Sequence, residues 1–448
     1  MRYHSFEELL LQHAAEFPDR CALRFPSGGH CSYRELTQSV QQEAERRRAS
    51  GKTCLGVLCD GSFACVRAIL SAVAAGMQVV LLDENLSDDK LPELIRYTDI
   101  DELWGEDALG FDAAPYLTEG VRDGRGRLLF FTSGTTDASK AVVLTEQSLC
   151  ASAWNGNEVL PLHGDDTLLC LLPLNHVFGF VCGLLWGLHA GATVALGDGP
   201  RGYLTAFSVY HPTVVSLVPA LFGFLLQKQA FNPELRQVLI GAGGCPPALL
   251  EAGKRCGFRV SVGYGLTETS SGVALSVDGN PDEMTVCPDD EIMIAYDREI
   301  LISAPTCMMQ GYYKRPADTD AVLTHGILHT GDLGALNAAG QLRVTGRKKE
   351  MLVLPDGTKL FLPEYEAEIA AALGTAELAV ALRDDKPVLI LAGSEEPKQV
   401  LLQKLADVQA KRPRGQQLTD IIILGDPLPR TATGKLRRWA IARRLERL

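Results

Sequence analysis

Five short stretches of this 448-residue chain combine residue types that phosphate and acyl chemistry need. The stretch 128–140, LLFFTSGTTDASK, runs from an apolar strand into a loop of small hydroxyl residues and Gly134, closed by a lysine. Backbone N–H groups of such a loop, the hydroxyls of Thr132, Ser133, Thr135 and Thr136, and the point charge of Lys140 suit a polyphosphate. It is not a Walker A loop, since GxxxxGK[ST] is absent. In GYGLTET at 263–269 the glycines let backbone approach a flat ligand, Tyr264 can stack on a purine, and Glu268 can hold a hard cation through oxygen. Asp332 in HTGDLG is a short carboxylate suited to ribose hydroxyls, or else a turn carboxylate capping a strand end. Lys435 in the Thr/Gly-rich TATGK could carry a flexible ammonium to a carboxylate and a phosphate together; read by itself it is one of several solvated lysines. His176, in PLNHVFG, opens an apolar stretch and either borders a ligand or is a satisfied core residue.

Positioning such groups takes rigid elements. Apolar strands alternate with helix-like stretches in LGVLCD, VRAILSAVAAG, MQVVLLD and LPELIRY, which predicts α/β layering with parallel sheet. The chain exceeds one ordinary core, so two or three domains are expected. The pattern changes near Gly346, where the basic GRKKE leads into smaller α+β units. The boundary is therefore set there, giving an N-terminal domain of residues 1–347 and a C-terminal domain of residues 348–448. In the second, LPEYEAEIAAAL has Pro363 at a first helical turn, and ELAVAL, PVLILAG and TDIIIL read as strands. The run 177–188, VFGFVCGLLWGL, is too short to span a bilayer and reads as a buried helix.

A net charge of −12 argues against broad attraction to nucleic acid or anionic membrane. It is unevenly spread: 17 Lys+Arg and 14 Asp+Glu lie from Lys348 onward, so the last hundred residues are near +3 and the rest near −15. A basic lid over an acidic body suits a polyanionic substrate, and ordinary surface variation explains it equally well. All 12 cysteines lie at or before Cys307 with no CxxC pair, so reduced, mostly buried thiols in a cytoplasmic protein are expected. No signal peptide is evident in MRYHSFEELL.

These motifs together resemble the adenylate-forming superfamily, which includes acyl-CoA synthetases, peptide-synthetase adenylation domains and firefly-type luciferases. After the phosphate loop, PLNHVFG at 173–179, GYGLTET at 263–269, GYYKRPADT at 311–319, HTGDLG at 329–334, GRKKE at 346–350 and PRTATGK at 429–435 follow in the family's order. The look is that of stand-alone acyl- or aryl-CoA ligases. The resemblance implies an α/β fold: a large N-terminal domain of layered α/β subdomains with mostly parallel sheets, plus a small mobile α+β C-terminal lid. It implies adenine stacking for Tyr264, phosphate contact for Thr267, Mg²⁺ on Glu268, ribose on Asp332 and ribose or phosphate on Arg347. Lys435 would stabilise the charge that develops as carboxylate attacks the α-phosphate, and His176 would border the carboxylate pocket. Lys349 matches the hinge about which the lid swings between half-reactions, and Gly357 the lid loop lining the thiol tunnel. Gly243 and Gly265 would meet the nucleotide and, with Phe178, Cys182 and Gly272, line the acid pocket.

The implied activity is AMP-forming: ATP and Mg²⁺ adenylate a small carboxylic acid, and the acyl group passes to coenzyme A. The alternative acceptor is the phosphopantetheine of a carrier protein acting in trans. No acidic residue lies between Asp166 and Asp198, where amino-acid-activating relatives carry an anchoring aspartate, so an aromatic or aliphatic acid is expected rather than an α-amino acid. Two departures stand out: Asp137 where glycine or serine is usual, and Ala141 where glycine is usual. An added carboxylate beside a triphosphate should weaken ATP binding unless it is paired, which keeps a nucleotide-binding regulator as a competing class. A luciferase-like oxygenase is a remote one. A monomer or a homodimer fits equally.

Overall fold

The computed structural model describes residues 2–26, 28–87, 89–105, 126–132, 140–277, 279–354, 359–430 and 436–445. The expectations for Ser133, Gly134, Thr135, Thr136, Asp137, Gly357 and Lys435 fall outside them.

The alternation of apolar strands and helices builds two large sheets. Among the described residues one has nine strands, in the order 285–286, 271–276, 259–266, 237–240, 214–217, 167–170, 193–196, 21–24 and 30–32. Its six middle strands, from Arg259–Leu266 to Cys21–Arg24, run parallel, and the flanking pairs are antiparallel. Val214–Leu217 and Gln237–Ile240 are buried at every position, as a parallel sheet covered on both faces requires. The second sheet has six strands, ordered 311–312, 141–145, 127–131, 78–83, 54–59 and 102–104. Its last four are parallel, and Arg127–Phe131, Ala141–Thr145 and Gly311–Tyr312 pair antiparallel. A five-stranded antiparallel sheet, built on the long strand Ile327–Leu336, follows. The mostly parallel α/β fold therefore stands, with one wholly antiparallel sheet added to it.

Beyond Lys348 the chain forms a two-stranded ribbon, Met351–Val353 with Lys359–Phe361, and a three-stranded sheet of Leu378–Arg383, Lys386–Ala392 and Asp420–Leu424. The helix Leu362–Leu373 has Pro363 and Glu364 in its first turn and stops at Gly374, whose φ of 71° suits glycine. The basic helix Arg438–Leu445 packs Ile441 and Leu445, with Leu436, on the sheet residues Ala379, Val388 and Ile390. Among the described residues no apolar cluster draws side chains from both sides of Lys348: those upstream end at Val344 and those downstream begin at Leu352.

The apolar run 177–188 is buried as expected, but its winding differs from an ordinary helix. Gly179–Leu185 is π-helical, with α winding only at Val177–Phe178 before it and Trp186–His189 after it. The Cys182 carbonyl is met by the Ser216 hydroxyl from the neighbouring strand at 2.8 Å, a long-range contact that periodicity cannot reveal. No described helix is long and apolar enough to cross a membrane.

Candidate active site

The hydroxyl-rich loop is the connection between the antiparallel strands Arg127–Phe131 and Ala141–Thr145. Its base is closed by the Thr132 N–H donating to the Lys140 carbonyl at 3.0 Å, so Lys140 is fixed where the loop rejoins the sheet. The departure at Ala141 has a packing explanation: the residue is fully buried in the apolar cluster with Leu129 and Val143. The Lys140 ammonium sits 3.2 Å from Asp318 and 4.6 Å above the Tyr312 ring. That lysine holds the Asp318 carboxyl below its ordinary range.

Tyr312 connects this corner to the next motif. Its hydroxyl donates to Glu268 Oε1 at 2.7 Å, while its N–H donates to Thr319 Oγ1 at 2.9 Å. Burial, then the neighbouring Glu268 carboxylate, pushes the phenol pKa up, so it remains a donor. Glu268 and Thr267 lie on a 3₁₀ turn, Thr267–Thr269, at the end of Arg259–Leu266. Thr269 Oγ1 accepts from the Leu266 N–H at 3.1 Å, and the Glu268 carbonyl accepts from the Met309 N–H at 2.8 Å, which fixes the backbone beneath the carboxylate. Sequence reasoning missed Tyr312 and Asp318. Both stand in GYYKRPADT, a stretch quoted for its resemblance and given no role.

At the other end of the same strand turn, the Tyr264 hydroxyl donates to Asp332 Oδ2 at 2.9 Å, and Arg347 Nε lies 2.6 Å from Asp332 Oδ1. Asp332 is only 3% exposed, and it faces Arg347 in the register of strands Ile327–Leu336 and Leu342–Arg347. Burial, reinforced by the Asp332 charge, raises the Tyr264 pKa and keeps its hydroxyl a donor. Two groups named separately from the sequence thus form one unit with a third.

His176 follows the strand Thr167–Cys170 and is exposed. The atoms packed around it lower its pKa, with Asp83 opposing, so the neutral imidazole prevails at neutral pH. Phe178 is half-buried beneath Gly241, where a Cβ would lie 2.6 Å from the ring. Gly243 has open space at that position and is exposed, leaving a bare backbone face for a ligand. At Gly265 a Cβ would run into the Ser271 carbonyl across the strand pair, so this glycine is demanded by the sheet. Cys182 Sγ lies 3.5 Å from Ser271 Oγ, and burial lifts its thiol pKa to about 11, which keeps it neutral. Cys182 and Gly272 line one cavity. Lys349 is exposed on the short turn Lys348–Glu350.

Residues 127–313 match the family described as AMP-binding enzyme. The chain is also 31% identical over 358 residues to the 3-[(3aS,4S,7aS)-7a-methyl-1,5-dioxo-octahydro-1H-inden-4-yl]propanoyl:CoA ligase of Mycobacterium tuberculosis, covering 74% of this chain and 68% of that protein. The chain belongs to the AMP-binding enzyme family. A second member, the 2-succinylbenzoate–CoA ligase of Bacillus velezensis, is 29% identical over 489 residues and is covered, like this chain, to 96%. Among solved structures, o-succinylbenzoate CoA synthetase from Bacillus subtilis in complex with its acyl-adenylate intermediate superposes with a TM-score of 0.82. The alignment covers 97% of each chain at 24% identity. The two-domain fold of AMP-binding enzymes is thus shared along nearly the whole chain. The family match spans Thr132, Lys140, His176, Tyr264, Glu268 and Tyr312, and stops before Asp332 and Arg347.

Proposed function

We propose that this chain is an AMP-forming acid–thiol ligase that adenylates a small carboxylic acid with ATP and passes the acyl group to coenzyme A. The observation that carries the reading is the convergence of separate motifs into two wired groups, Lys140–Tyr312–Glu268 and Tyr264–Asp332–Arg347. The first offers a cation and a hard carboxylate, as a magnesium triphosphate requires; the second offers an aromatic ring and a paired carboxylate, as a nucleoside requires. Glu268 Oε1 is taken by Tyr312, and one carboxylate is enough for Mg²⁺, which keeps water and substrate phosphates as its other ligands. Bound there, Mg²⁺ would neutralise phosphate charge.

In the first half-reaction a substrate carboxylate oxygen attacks the α-phosphorus, the O–P bond forms, and the bond to the bridging oxygen breaks to release pyrophosphate. Lys140 screens the phosphates, and Lys435 screens the incoming carboxylate and the pentavalent charge. In the second the thiolate sulfur attacks the acyl carbon and AMP leaves with its phosphate oxygen. The reading divides the chain into residues 1–347 and 348–448, with Lys349 as pivot and Gly357 at the thiol path. The separate apolar clusters on either side of Lys348 support this division. Coenzyme A is favoured over a carrier protein because the relatives named above are CoA ligases. We place the enzyme in the cytoplasm, as a monomer or homodimer.

ATP–pyrophosphate exchange across a panel of acids tests the reading, with mass spectrometry of products formed with coenzyme A. Acid-dependent exchange and an acyl-CoA product are expected. A protein that binds ATP yet exchanges with no acid is a regulator.

A further inference from the structure

Asp332 reaches Tyr264 and Arg347 from a strand whose pairing is interrupted. Ile327–Leu336 runs antiparallel to Glu299–Ser303, but the register jumps: Leu301 faces His329 and Glu299 faces Leu333, so Thr330, Gly331 and Asp332 stand opposite Ile300 alone. A bulge of this kind pushes its extra residues out of the ladder and re-aims a side chain, and the backbone groups it frees need other partners. Two side chains supply them. Thr330 Oγ1 donates to the Ile300 carbonyl at 2.7 Å and accepts from the Asp332 N–H at 2.9 Å. The Gly331 N–H donates to Glu299 Oε1 at 2.9 Å, from a backbone φ of 68° that glycine adopts freely.

Glu299 is placed to hold that bond firmly. It is only 7% exposed, and its second oxygen, Oε2, lies 2.7 Å from Lys348 Nζ and 3.3 Å from His329 Nδ1. A buried carboxylate is costly unless it is both paired and hydrogen-bonded. Here the cation of Lys348 balances one oxygen, and the other is left fixed on the bulge.

We infer that Glu299 is a positioning residue: by holding the Gly331 N–H it fixes the bulge in the shape that turns the Asp332 carboxylate toward a ribose, and it acts on nucleotide recognition through Asp332. The inference rests on the nucleoside reading of Tyr264, Asp332 and Arg347 and adds a residue which that reading does not name. Without the Glu299 bond the turn relaxes and Asp332 loses its alignment with the ribose hydroxyls, while stacking of the base on Tyr264 remains.

The test compares AMP with 2′,3′-dideoxy-AMP, which lacks both ribose hydroxyls, by isothermal titration calorimetry on the full chain. The wild type should bind AMP about 30-fold more tightly, on the scale of hydrogen bonds to a charged group. Glu299→Leu should bring that preference below about threefold by weakening AMP and leaving the dideoxy nucleotide unchanged. Glu299→Gln keeps an acceptor for the Gly331 N–H and should retain a preference of about tenfold or more, which separates the hydrogen bond from the charge. Asp332→Ala should also lose the preference, and adding Glu299→Leu to it should remove nothing further. Should the leucine variant not fold, Glu299→Asp takes its place: its carboxylate is one methylene too short to span Gly331 and Lys348 together, and the preference should fall about fivefold. A preference that survives in a folded Glu299→Leu or Glu299→Asp variant, that is lost equally with Glu299→Gln, or that falls further in the double variant overturns the inference while the nucleotide reading stands. A wild-type chain that does not distinguish the two nucleotides removes the ribose role of Asp332, and this inference with it.

Discussion

In the chain up to Arg347, the polar side chains of the candidate site hold one another: Tyr264 and Arg347 meet on Asp332, and Lys140 and Glu268 meet on Tyr312. Beyond it, the segment from Leu352 has apolar clusters of its own and meets the rest through the Phe361 ring, packed against Gly346, and an ionic cluster at Lys348. Lys348 lies 2.7 Å from both Asp297 and Glu299. The difference separates two tasks. Groups that recognise a nucleotide gain from being fixed in advance on sheets, because little order is then lost on binding. A segment proposed to present a lysine in one half-reaction and a thiol path in the next gains from a partly ionic junction: the half-exposed Lys348–Asp297 pair is of the kind that contributes only about 0–1 kcal/mol, while Glu299 is buried.

The largest expected effect tests whether the second segment serves one half-reaction only. Lys435→Ala should slow adenylate formation by about 100- to 1,000-fold, the scale for losing one group aimed at developing charge. Thioester formation from supplied acyl-adenylate should continue at the wild-type rate. Single-turnover assays of each half-reaction measure this, and equal losses in both would mean that the two segments do not alternate.

A smaller effect probes the wiring of the first region. Tyr312→Phe keeps the ring under Lys140 and removes the hydroxyl from Glu268, a bond to a charged group worth about 1.5–3 kcal/mol. The Mg²⁺ concentration for half-maximal exchange should rise roughly tenfold, with a smaller change in kcat at saturating Mg²⁺. An unaltered Mg²⁺ requirement would show that Glu268 is held by its backbone alone.

What the sequence revealed follows the same division. The sheets were legible because buried parallel strands are written as continuous apolar runs, and QVVLLD and LGVLCD became parallel neighbours inside the six-stranded sheet. Tyr264, Glu268 and Asp332 stood out as candidates because their types suit a purine, a hard cation and a ribose, the roles proposed for them above. Tyr312 was not, since its importance lies in joining Lys140 and Glu268, residues 128 positions apart that no local pattern relates. The π-helical winding at Cys182 was hidden for the same reason: the hydroxyl that satisfies its carbonyl comes from Ser216 on another strand. Ala141, read as a departure from the phosphate-loop pattern, proved to be part of the buried sheet.

The smallest expected effect concerns the junction itself. Burial alone would raise the Glu299 pKa, but Lys348, the Gly331 N–H and His329 outweigh it and hold the carboxyl below its ordinary 4.5; Lys348 likewise depresses Asp297. A carboxylate whose folded pKa is depressed contributes its full share above the ordinary value and loses it as pH falls through the lower folded one. Lys348 is shifted the other way, burial being outweighed by Asp297 and Glu299, so its own contribution is lost only at strongly alkaline pH. The junction should therefore be intact at neutral pH and loosen in acid, with the apolar clusters on either side little affected. Hydrogen exchange of residues 345–354, corrected for intrinsic rates, should be severalfold faster near pH 4 than at pH 7, and faster in high salt, which screens half-exposed pairs. Lys348→Met should give the fast pattern already at pH 7. Protection indifferent to acid, salt and this substitution would mean that packing joins the two segments, and the contrast between a wired site and an ionically tethered lid would fail.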